Sequence, residues 1–114
     1  METVKAYKVV NNVNGELVSA LAGNKKYWYE FQPMGTQKTY NKDKFTICKK
    51  EPMGVFRKLN DARDFCRKEG VYSKHCDLNL EIWECEAVII NPRVKPFDYR
   101  GTSYASHVKL IKRV

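Results

Sequence analysis

The residues best suited to chemistry lie in the stretch 91–106, where Arg93, Lys95 and Arg100 interleave with Phe97, Tyr99 and Tyr104, and Thr102, Ser103 and Ser106 add hydroxyl groups. Guanidinium forks match phosphate oxygens, and aromatic faces stack on nucleobases at about 1–3 kcal/mol per base. The stretch also contains Pro92, Pro96 and Gly101 and shows no helical or strand period. Structureless connections longer than about 12–15 residues are uncommon in compact domains and tend to be functional or disordered. This one is too aromatic for a disordered linker. It is therefore expected to be a basic loop in which Arg93, Lys95, Tyr99, Arg100 and Tyr104 hold a nucleotide or a single-stranded nucleic acid. The competing reading is a loop whose aromatics cover one end of the core.

A second basic-aromatic group is Lys25-Lys26-Tyr27-Trp28-Tyr29, followed by Lys38, Tyr40, Lys42 and Lys44. Two lysines leading into an aromatic strand form a phosphate-and-stacking platform of the kind used by sheet-based nucleic-acid readers. Lys25, Lys26 and Tyr27 thus join the ligand-binding candidates, against the alternative of a core strand with a solvated start. Arg57, Lys58, Arg63, Arg67 and Lys68 form a third group. Helix-dipole complementarity and the Asp64–Lys68 spacing explain these locally without a ligand.

Carboxylates raise the question of catalysis. Glu84 and Glu86 stand at i, i+2, the strand spacing at which two carboxyls can share acid and base roles. A nucleotide-dependent transferase or hydrolase using Glu84 or Glu86 as a polarising carboxylate is the enzymatic alternative. It lacks a nucleophile with its own base. Acids on a solvated strand face, paired with neighbouring lysines, account for the pattern equally. His75 and Cys76 are adjacent but have no further ligand at a recognised metal spacing, and no glycine-rich phosphate loop or nucleophile elbow is present. No metal, cofactor or catalytic residue is expected.

The charge pattern points the same way. The chain of 114 residues carries a formal +8, divided unevenly: nine Lys/Arg against four acids in residues 1–50, six against eight in 51–86, and six against one in 87–114. A neutral-to-acidic centre between two basic ends suits an anionic partner gripped from both ends, more than a uniform solubility coat does. The partner is a nucleotide, a nucleic acid or, alternatively, an acidic protein surface docked by an interaction module. No membrane role is expected, since the longest apolar run is 87–90 and a spanning helix needs about 20 residues. Residues 1–10 lack the apolar run of a secretory signal, and Cys48, Cys66, Cys76 and Cys85 contain no Cys-x-x-Cys pair. Reduced structural thiols in a cytoplasmic protein are the expectation.

The elements that must position these groups can be sketched from periodicity. Residues 4–10 and 17–21 read as strands joined through Asn14-Gly15, a pair that tolerates positive φ. Residues 27–31 alternate as a third strand, 32–44 read as an exposed basic loop, and 45–48 and 54–57 as short strands. A helix is expected over 61–69, with Asn60 as N-cap, an apolar stripe at Ala62, Phe65 and Cys66, and Gly70 as its stop. Residues 78–90 form the longest strand. Its inward phase switches near Trp83, which a bulge or burial on both faces would explain. Residues 107–114 close the chain as a strand whose Val108, Leu110 and Ile111 join the core.

In its Lys/Asn/Tyr-rich composition, and in the order Gly54-Val55-Phe56, helix, then 80–90, the chain resembles the small accessory proteins of bacteriophages and mobile elements. The resemblance reaches no named family; it implies a viral or host-directed role such as sequestering a nucleotide signal or blocking a nucleic-acid enzyme. The whole chain is expected to form one α+β domain, a mostly antiparallel twisted sheet of five to seven strands with one principal helix on one face.

Overall fold

A computed structural model describes residues 2–20, 38–48, 50–76, 79–93 and 100–114. Seven strands and one helix follow in the order β1 (Val4–Val13), β2 (Glu16–Ser19), β3 (Thr39–Tyr40), β4 (Phe45–Ile47), β5 (Met53–Phe56), α1 (Leu59–Cys76), β6 (Leu80–Ile90) and β7 (Thr102–Arg113). All named strand pairs are antiparallel.

The β1–β2 hairpin forms where Asn-Gly places it. Asn14 and Gly15 have φ of 53° and 90°, the positive pair that a two-residue turn matching strand twist requires. The Gly15 N–H donates to Asn12 Oδ1 at 2.8 Å, which secures the turn.

The sheet does not stay open. β1 pairs with β6 from Val4 to Asn11, and β6 pairs with β7 from Trp83 to Ile90. The four-residue β5 then joins the two outer edges, pairing Phe56 with Tyr7 of β1 and residues 53–56 with 105–102 of β7. The ring β1-β6-β7-β5 is thereby closed. At the other end β2 and β3 extend the edge of β1, while β4 extends that of β7. The Asp43 N–H to Leu110 carbonyl bond (2.8 Å) and Thr46 Oγ1 to the Thr39 carbonyl (3.0 Å) stitch these pieces together. The open twisted sheet expected from periodicity is corrected to a small closed barrel, and closure removes unpaired edges that an open sheet would expose.

Small residues make the barrel possible. Ala6, Cys85, Ala87 and Ala105 are fully buried in its interior with Val10, Val55, Val108 and Leu110. A barrel of few strands must be filled by its own side chains, and short ones let opposing walls approach. Outside the barrel, Ala62 and Phe65 of α1 pack on Val9 and Phe56, the two phenyl rings 5.6 Å apart. β1 around Tyr7 and Val9, and β6 at Leu80 and Ile82, are therefore buried on both faces. Leu80 and Ile82 face the helix while Trp83, Cys85 and Ala87 face the barrel, which explains the phase switch; the register shifts fall at Glu84/Cys85 and Val88/Ile89.

Four points differ from expectation. The helix opens with Ala62 N–H bonding the Lys58 carbonyl at 3.3 Å, so Asn60 lies inside the first turn and does not cap it. It also continues through Gly70 to Cys76, because one interior glycine costs only about 1 kcal/mol. β7 begins at Thr102, which shortens the expected 91–106 loop, and Thr39–Tyr40 form strand inside the expected 32–44 loop. The strand expected over 27–31 lies outside the described residues.

Candidate functional site

The β5–β7 register decides what sits near Arg100. Phe56 is opposite Thr102, so Arg57 and Lys58 leave β5 beside the turn where Arg100 and Gly101 enter β7. On the other side of β7, Ile90 is opposite Tyr104, and Arg93 follows Ile90 by three residues. Arg57, Lys58, Arg93 and Arg100 are all exposed, and they gather at one pole of the barrel where α1 also starts. Gly101, at φ +80°, lies so close to the first turn of the helix that a Cβ there would collide with the Asp61 side chain.

Tyr104 does not belong to that surface. It is 5% exposed and sits between Gly54 and Ile90 on the face opposite Ala105, so its ring is buried on the Phe56 side of the sheet and offers no face for stacking on a ligand. A strand aromatic serves a core or a ligand equally well by type, and only the register separates the two. Of the expected hydroxyl donors, Ser106 is buried and hydrogen-bonded to His107 Nδ1 at 2.7 Å. Thr102 Oγ1 is buried without a hydrogen-bond partner among the described residues. Lys25, Lys26, Tyr27, Lys95 and Tyr99 lie outside the described residues.

Arg57 and Lys58 were accounted for above by local helix stabilisation. Their place beside Arg100 follows from strand pairing between residues about fifty positions apart in the chain, and no local signal carries it.

The balance of ion pairs is lopsided. Glu84 meets Lys5 at 3.2 Å, Glu86 meets Lys109 at 3.3 Å, Glu51 meets Lys38 at 3.3 Å, Glu81 meets Arg113 at 3.6 Å, and Asp64 pairs with Arg67. Arg57, Lys58, Arg93 and Arg100 have no carboxylate partner among the described residues, and neither do Lys42 and Lys44 at the β3–β4 turn. Five acids are thus spent on the sheet faces, the barrel ends and the helix, while Asp61 stands at the pole beside Gly101, so the pole keeps an excess of cations over acids among the described residues.

Glu84 and Glu86 project from the outer sheet face, each neutralised by a lysine, which fits a cross-strand ladder. Glu81 is different. It is buried, and it accepts Asn12 Nδ2 at 2.9 Å and Trp83 Nε1 at 3.1 Å, so it fastens the β1 end to β6. Among the described residues no three His, Cys, Asp or Glu side chains cluster in a way that would hold a metal ion, and no helix is long and apolar enough to cross a membrane.

One cation lies inside the barrel. Lys8 shares the inward face of β1 with Ala6 and Val10, is 8% exposed, donates to the Gly54 carbonyl at 2.7 Å, and stands 5.1 Å from the Tyr40 ring centre. Burial lowers its pKa to about 8, with the nearby Lys38 adding to the shift and Cys85 opposing it. Burial also raises Cys85 to about 12 and Cys66 to about 11, and raises Tyr40. The signal for Lys8 was present in the alternation Ala6, Lys8, Val10, where a lysine interrupts an apolar face.

Compared with protein-family models, curated proteins and solved structures, the chain matches none.

Proposed function

We propose that the protein is a non-catalytic binder of a phosphate-bearing ligand, a nucleotide or a nucleic acid. The observation that supports this most is the pole of Arg57, Lys58, Arg93 and Arg100, exposed and without carboxylate partners among the described residues, where a packed domain elsewhere pairs its acids. Arginine forks and lysine ammoniums in that state are matched by phosphate oxygens. The role of a small phage-type accessory protein that sequesters a nucleotide signal or masks a nucleic acid is compatible with such a surface.

A thermal-shift panel of nucleotides and short oligonucleotides tests the reading. A ligand held at 100 times its dissociation constant should add about 2.7 kcal/mol of stability. The competing reading, a module that docks an acidic protein surface, draws on Ile47, 59% exposed on β4 beside Phe45 and Lys109. An acidic protein partner bound through Ile47, with no shift from any phosphate ligand, would select it. The enzymatic alternative requires turnover of a nucleotide that is lost in Glu84→Gln or Glu86→Gln.

A further inference from the structure

We infer that the partner of the pole is the sugar–phosphate backbone of a nucleic acid, held across several successive phosphates and read without regard to base. The inference rests on the phosphate-binder reading and narrows it.

The spread of the cations carries the argument. Arg57 and Lys58 issue from β5, Arg100 from the start of β7 and Arg93 from beyond the end of β6, and these are three laterally adjacent strands. Neighbouring strands lie about 4.8 Å apart, so the three origins span roughly 10 Å. A nucleic-acid strand carries one phosphate per roughly 3.4 Å of helix axis, so about three consecutive phosphates cover that span. A mononucleotide concentrates its charge at one point and leaves part of the row unused. Among the described residues no exposed aromatic stands at this surface. Tyr104 is buried on the Phe56 face of the sheet, and Phe45 lies on β4 with Lys109 4.9 Å from its ring centre, beyond the pole. Cations without an aromatic platform contact phosphates and leave sequence unread.

The test is fluorescence anisotropy of a labelled mixed-sequence oligonucleotide, single-stranded or duplex, across a salt series, beside a thermal-shift titration with ATP. Arg57→Ala/Lys58→Ala should lower the slope of log affinity against log salt by about 1.8 on duplex or about 1.4 on a single strand, which also tells the two forms apart. Arg57→Lys/Lys58→Arg should keep the slope. Lys42→Ala/Lys44→Ala is the control: Lys42 bridges Leu110, eight positions along β7 from Thr102 and roughly 26 Å away at about 3.3 Å per residue. It should leave the slope unchanged. All the substituted side chains are exposed, and unchanged thermal melts will show that the variants fold.

Oligonucleotide binding that loses slope at the pole and not at the control, with the same affinity for different base sequences, supports the inference. Stabilisation by ATP without oligonucleotide binding overturns it and leaves the phosphate-binder reading standing. Slope lost at Lys42/Lys44 alone, or strong base preference, overturns the assignment to the pole. Binding of neither ligand overturns both readings.

Discussion

Replacing Lys8 by methionine should stabilise the protein. In the unfolded chain its amine titrates at the ordinary 10.5, and in the barrel at about 8. One pKa unit corresponds to about 1.4 kcal/mol, so the folded state carries a penalty of about 3 kcal/mol for holding that charge. The sign follows from proton counting. Below pH 8 both states are protonated and the penalty is fully present; between 8 and 10.5 the unfolded chain binds a proton that the folded one lacks, so stability rises with pH; above 10.5 the penalty is gone. Lys8→Met removes it at all pH values while leaving the Gly54 carbonyl without its donor, a loss of about 1 kcal/mol. The net gain at pH 7 is about 2 kcal/mol, or roughly 8 °C in Tm. Urea melts at pH 7, 8 and 9 give the measurement. The wild type should gain stability from pH 8 to 9 and the variant should not. From about pH 8 upward the raised thiols of Cys66 and Cys85 work in the opposite direction in both proteins alike, because the unfolded chain ionises them first, so the difference between wild type and variant isolates Lys8. A variant less stable than wild type at pH 7, with the same pH slope, would refute the reasoning.

Gly101→Ala should cost more than Gly15→Ala, although both glycines have positive φ, because only the former drives a Cβ into Asp61; with about 1 kcal/mol for the backbone alone, combining Gly101→Ala with Asp61→Ala in chemical melts should recover the excess. Glu81→Ala should cost about 2–3 kcal/mol by stranding the Asn12 amide and the Trp83 indole N–H, and Glu81→Gln less, measured by urea unfolding with tryptophan fluorescence. Cys85 should react with a thiol reagent at pH 8 far more slowly in the native protein than in denaturant, because it is buried and its pKa is pushed up to about 12; equal rates would contradict its burial. Phe65→Ala should cost about 3–4 kcal/mol by emptying the contact with Phe56 under the helix.

What could be read ahead of the structure was local. Asn14-Gly15 announced its hairpin, the stripe of Ala62 and Phe65 announced a helix packed on a sheet, and the phase switch near Trp83 announced a bulge or burial on both faces, of which the register shift at Glu84/Cys85 and the packing of Leu80 and Ile82 under the helix are both present. Closure was illegible because it depends on β5, four residues that pair with β1 and β7 at once. Nothing in Met53-Gly54-Val55-Phe56 names either partner. The same limit applies to the site. Arg93 and Arg100 stood out in a basic stretch, whereas Arg57 and Lys58 became their neighbours only through the register of β5 on β7. Tyr104 reads as a loop residue but lies buried in β7, because Thr102 to Ser106 combine hydroxyls and an aromatic, a composition that serves a binding loop or a strand.

The pairing of β1 with β6 sets a schedule for synthesis. Val4 is opposite Ala87, so β1 waits for the translation of some eighty further residues before its main partner exists. At about 5–20 residues per second the delay is roughly 4–16 seconds. During that time the β2 hairpin occupies only Val10 to Val13, and Ala6, Val9 and the rest of an edge destined for burial on both faces are solvent-facing. The unpaired β1 edge is exposed to aggregation in this interval, and a chaperone that recognises extended apolar segments should protect residues 4–10.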